Sequence, residues 1–183
     1  VGSEMCKETA YEIALSAISC AIAAIALTVG TLYTPLLFTG YLLACFALMI
    51  PLSKNCYWGD VLAFIGAGIL ALMFNGFNIF DTLPFLVFFG LHPLVNALQL
   101  KFKINRWIAL AVKAVWFDAA MYVVWRFTLD MNLGIEFLDK YIIPVILIGG
   151  TAFFVFYDYV LFKCQISANR IINPVSYTHL RAH

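Results

Sequence analysis

The sequence predicts an all-α membrane protein, a bundle of six transmembrane helices with its N-terminus in the cytoplasm. Three observations carry this. First, hydrophobic residues make up 64% of the chain and charged residues 11%, whereas a soluble domain carries about a quarter charged. So little charge cannot cover a water-exposed surface. Second, six apolar segments follow one another, roughly 16 to 24 residues each, enough to span or nearly span a hydrocarbon core at ~1.5 Å per residue. A lone segment in lipid must satisfy its own backbone, so each is expected to be a helix. Third, Lys and Arg fall on one side. With the N-terminus inside, the inner segments hold Lys7, Lys54, Lys101, Lys103, Arg106, Lys163 and Arg170, and the outer ones only Arg126 and Lys140 beside Asp81, Asp130, Glu136 and Asp139.

The first segment, Thr9–Val29, carries Ala10, Ala14, Ala17, Ala21 and Ala24. That spacing keeps small residues on one stripe, widened by Ser16 and Cys20. The stripe either packs inside the bundle or docks another membrane protein. Pro35–Ile50 follows "TLYTP". Tyr33, Phe38 and Tyr41 at its outer end either line a pocket or meet lipid. Gly59–Phe74 places Asp60 in its first turn, where a carboxylate suits the helix dipole. Asp60 and Glu12 are expected to be solvated or capping. Asn75 and Asn78 flank Gly76, which reads as a turn first and a gate over an outer pocket second.

Thr82–Leu100 contains His92 before Pro93, and proline bends a helix there. A lone interior His is more often hydrogen-bonded than a ligand. Asn105–Thr128 holds Lys113 near its middle, and an ionisable group at that depth needs a partner. Asp118, five residues on, lies about 140° around the axis and is a poor one. Asp158 on the last segment, Asn96 on the fourth, or a bound anion are the candidates. A structural ion pair and a substrate or ion site are both open. Tyr141–Phe162 completes the set. Trp58, Trp107, Trp116 and Trp125 fall mostly near predicted interfaces.

No linker divides the chain, so residues 5–173 read as one domain. Net charge of +1 offers nothing to nucleic acid. No secretory signal pattern, P-loop, H-E-x-x-H, G-x-S-x-G or C-x-x-C occurs, so no nucleophile or metal site is signalled, no cofactor is implied and no enzyme is indicated. Cys6, Cys56 and Cys164 lie toward the cytoplasm and Cys20 and Cys45 within helices, so no disulfide is expected. The end, "VSYTHLRAH", holds His179 and His183 at metal-compatible spacing. It matches the in-frame translation of a transposase-type sequencing adapter, so residues 174–183 are expected to be non-native. Met5 is a plausible true start.

Taken together, the segments resemble the substrate-binding S components of bacterial energy-coupling factor transporters. Ala10/Ala14 and Ala17/Ala21 match the alanine motifs by which that family's first helix contacts the coupling subunit. "LPFLVFFGLHPLVNALQLKF" and "RWIALAVKAVWFD" look like a group of S-component-like proteins from Firmicutes. In that group helix four reads F-F-G-x-x-P-I-x-K and helix five K-x-x-x-F-N. Phe88, Phe89, Gly90, Pro93, Lys113 and Phe117 keep the pattern. Asn96 departs from it where the group has Lys, and Asp118 where it has Asn. The resemblance implies a micronutrient importer subunit in the cytoplasmic membrane. Its partners would be a transmembrane coupling subunit, two ATPase subunits, the lipid bilayer and a small-molecule substrate. No residues match a known riboflavin, thiamine, biotin or folate pocket. Two rivals stand beside it: a membrane scaffold without a ligand, and a small lipid-modifying enzyme with His92 and Asp118 as acid and base.

Overall fold

Short connections make consecutive helices antiparallel neighbours, and the computed structural model follows that rule. It describes residues 2–128, 141 and 143–172. Residues 174–183 with both tail histidines, the Asp130, Glu136, Asp139 and Lys140 segment, and the side chains of Cys6 and Lys7 lie outside the described residues. Six helices are long and apolar enough to cross a membrane, and no strand occurs among the described residues. They are α1 (Gly2–Leu32), α2 (Leu37–Ser53), α3 (Tyr57–Phe74), α4 (Ile79–Lys101), α5 (Arg106–Thr128) and α6 (Val145–Ile171). A 3-10 turn, Thr34–Leu36, joins α1 to α2. The turns after α2 and α4 mark one end of the bundle, the near end. Those after α1 and α3 mark the far end.

α1 packs on α2 and α3. Its register is set by glycine. α1 stays helical to Leu32, and Gly30 is buried inside it. It meets Gly40 of α2 so closely that a Cβ on Gly40 would stand 2.7 Å from the Ala26 carbonyl oxygen and 3.0 Å from Gly30 Cα. Small residues at both positions are what allow two helix backbones to come this close.

The far turn after α3 is closed by its asparagines. Gly76 has φ +71° and Phe77 φ 63°, the left-handed region in which glycine is at ease. Asn75 Nδ2 donates to the Asn78 carbonyl at 3.1 Å and to Thr82 Oγ1 at 3.0 Å, and Asn78 Oδ1 accepts from the Phe80 amide at 3.2 Å. Both side chains are spent on turn and cap. Tyr41 Oη donates to the Asp81 carbonyl and ties α2 to the start of α4.

α4 breaks rather than bends. An α-turn, Ile79–Pro84, passes into a π-helix, Phe85–Phe89, and a fresh α-helix starts at His92 with Pro93 in its first turn. There the missing proline N–H costs nothing. The widened turn pushes Phe88 into the centre of the bundle, against the rings of Phe89, His92, Trp116, Phe117, Phe154 and Tyr157. α6 likewise opens with a π-helix, Val145–Gly150.

Asp60 departs from expectation. It is 1% exposed, and its Oδ1 has no hydrogen-bond partner among the described residues. The cause lies beside it. Gly59 lets α1 press onto the first turn of α3, with Ser16 Oγ standing 2.1 Å from where a Cβ would be.

Candidate functional site

Four polar side chains from three helices meet in the bundle core. Lys113 of α5 donates from Nζ to Asn96 Oδ1 at 2.9 Å and to Asp158 Oδ1 of α6. His92 Nε2 lies 3.0 Å from the same Asp158 oxygen, and Asn96 Nδ2 lies 3.5 Å from His92 Nδ1. Exposure is 0% for His92 and Asn96, 2% for Lys113 and 6% for Asp158. One assignment of donors and acceptors satisfies every contact. Asn96 spends its oxygen on the lysine, so its amide N–H turns to His92 Nδ1. That nitrogen must accept, so Nε2 carries the proton and donates to Asp158. The four groups then form a closed cycle of ammonium, carboxylate, neutral imidazole and amide with no net charge.

Two of the sequence candidates for Lys113 are therefore joint partners. Asp118 is not in the network, as its angular offset implied. Its carboxylate accepts from Thr151 Oγ1 at 3.0 and 3.2 Å. His92 and Asp118 thus belong to different hydrogen-bond groups. Tyr33 is 59% exposed and Asn75 belongs to the far turn, so neither joins the network.

A separate cavity of about 440 Å³ lies toward the far end, between α2, α4, α5 and α6. Phe38, Tyr41, Phe89, Phe117, Trp125 and Phe153 form its aromatic walls. None of the four network residues lines it. Phe88 and Tyr157, with rings 5.2 and 5.1 Å from His92, form part of the aromatic layer around the network. Gly150 is a small patch of wall. A Cβ there would meet Phe117 Cε1 at 3.4 Å and stand 3.9 Å from Asp118 Oδ1, so one carboxylate lies just behind the lining. Such a cavity suits a flat, largely apolar ligand. Phe38 and Tyr41 were candidates from sequence. Met121, Trp125, Gly150 and Phe153 were not, although Phe117, Met121, Val124 and Trp125 show the i, i+4, i+7, i+8 spacing of one helix face.

The alanine stripe resolves into two parts. α1 buries Ser16, Ser19, Ala23, Leu27, Gly30 and Thr31. Ala10, Ala14, Ala17 and Ala21 are exposed, about 135° around the helix from the centre of that buried face. Ala24 sits at the border and is buried. A groove of about 410 Å³ between α1 and α3 runs beside the stripe, lined by Glu12, Ala17, Cys20, Cys56 and Trp58 among others.

Comparison of the chain with protein-family models, curated proteins and solved structures finds no match.

Proposed function

We propose that this chain is the substrate-binding membrane subunit of an energy-coupling factor type importer for a vitamin or other micronutrient, with its near end in the cytoplasm. One observation carries the reading: the exposed row Ala10, Ala14, Ala17 and Ala21, which the chain's own packing leaves unused. Small side chains let a second helix come to backbone distance, and in lipid that closeness is a main source of association energy. A coupling subunit is the partner this face fits, with two cytoplasmic ATPases behind it. The near-end lysines and arginines support the orientation. Trp58 and Trp107, 81% and 75% exposed, stand where an interfacial belt would.

The far-end aromatic cavity is the substrate pocket in this reading, and Lys113 with its partners is the pin that holds α4, α5 and α6 beneath it. Gly150→Met should fill the cavity from a position where the Cβ itself makes ordinary contact. The expected result is loss of bound small molecule in mass spectrometry of the purified chain, with thermal unfolding unchanged. Retention of the same ligand would place the substrate elsewhere.

The docking test is Ala14→Leu with Ala17→Leu. Both sites are exposed, so the fold should survive. Co-purification with a coupling subunit and its ATPases should fall at least tenfold, since one lost close contact of about 1.4 kcal/mol is already a factor of ten. Undiminished co-purification would sink the docking face. A folded chain that binds neither partner nor small molecule would instead fit a membrane scaffold.

A further inference from the structure

At the near end two cations from different helices converge on one ring. Arg106 Cζ of α5 stands 5.7 Å from the centroid of Tyr159, and Lys163 Nζ of α6 stands 5.8 Å from the same centroid. Neither pairs with a carboxylate among the described residues. None of the described carboxylates stands within ion-pair distance of either cation. Asp158 is held by Lys113 and His92, Asp118 by Thr151, and Asp81 by Asn78 at the far turn. Asp60 is buried in α3, and Glu12 belongs to α1. With no acid among the described residues paired to either cation, the surroundings of this ring carry net positive charge. A ring face offsets little of that at an exposed site, about 0.5–1 kcal/mol each.

The surroundings say what anion fits. Phe156 lies two helical turns from Lys163 on the same face of α6, about 10 Å toward the far end, with Tyr159 between them. Phe156 is 67% exposed and Tyr159 47%. On α5, Trp107 beside Arg106 is 75% exposed. An apolar column thus leads into a pair of uncompensated cations, the pattern of an acyl chain ending in a phosphate.

We propose that Arg106 and Lys163 hold the headgroup phosphate of an anionic phospholipid, with its chain lying along Phe156 and Tyr159. The proposal needs the chain to lie in a bilayer and does not depend on the importer reading. The test uses the full chain in nanodiscs of mixed phosphatidylglycerol and phosphatidylcholine, with native mass spectrometry of the lipid retained on release. Parent protein should keep phosphatidylglycerol in preference to phosphatidylcholine. Arg106→Gln with Lys163→Gln should lower that preference at least tenfold, since each cation near an anionic surface contributes about 1 kcal/mol. Lys103→Gln, at an exposed turn position, should not. Unfolding in pure phosphatidylcholine should be the same for all three, which separates lost lipid from lost fold. Equal retention of phosphatidylglycerol by the double variant would overturn the site. Complete displacement of the lipid by excess inorganic phosphate would overturn the lipid assignment and leave a free-phosphate site.

Discussion

Lys113→Ala should cost about 3–5 kcal/mol of stability, the usual penalty for removing one partner of a buried ion pair. The loss has a specific form here. Asp158 would keep its charge in the core with only the His92 N–H to answer it, and the Asn96 oxygen would lose its donor. Chemical unfolding in a mild detergent would measure it. Lys113→Leu combined with Asp158→Leu should cost less than the sum of the two single changes, because the pair leaves together and only His92 and Asn96 are stranded, at about 1–3 kcal/mol for each unsatisfied group. Such non-additivity is what a network predicts. A Lys113→Leu protein as stable as the parent would show that the cycle contributes nothing measurable.

Gly40→Ala should be the most damaging single-methyl change in the chain. The added Cβ would lie 2.7 Å from the Ala26 carbonyl oxygen and 3.0 Å from Gly30 Cα, and both obstacles are backbone. No side chain can swing aside, so α1 must move off α2. Overpacking of this kind costs about 1–3 kcal/mol, with rigid surroundings at the upper end. Gly149→Ala is the matched control, because nothing lies within 4 Å of a Cβ there. It should be neutral or gain up to about 1 kcal/mol from helix propensity. Thermal unfolding of the two variants side by side would decide it. Equal melting temperatures would mean that the α1–α2 contact is soft and that Gly30 and Gly40 do not set its register.

Much of the polar site was legible because charge is rare in this chain. With few ionisable groups inside the spans, Lys113 had few possible partners, and both Asp158 and Asn96 were among them. The closed cycle was not legible. It depends on the π-turn at Phe85–Phe89 and the restart at His92, which bring His92 and Asn96 to the same side as Asp158. A proline in sequence announces a disturbance of the helix but not whether it kinks or begins again. Asp60 was misplaced for a similar reason. Its first-turn position argued for water, and only the approach of α1 over Gly59 buries it.

By itself the sequence determined six membrane-length apolar helices and their order, although the first helix starts at Gly2 rather than Thr9 and the last runs on to Ile171 rather than ending at Phe162. Hydropathy, segment length and turn residues are properties of a single segment and are written along the chain. Tertiary structure alone decided which face of each helix turns inward. It placed Ala10 to Ala21 outside and Ala24 at the border, put Phe89 and Phe117 on a cavity wall, and set Gly30 against Gly40. The physical reason is the solvent implied by the composition. Against lipid an apolar side chain is as well placed outward as inward, so hydrophobic periodicity, which sorts inside from outside in water, is nearly silent here. What remains is shape: where two backbones can touch, and where a ring must go when a helix widens by one residue.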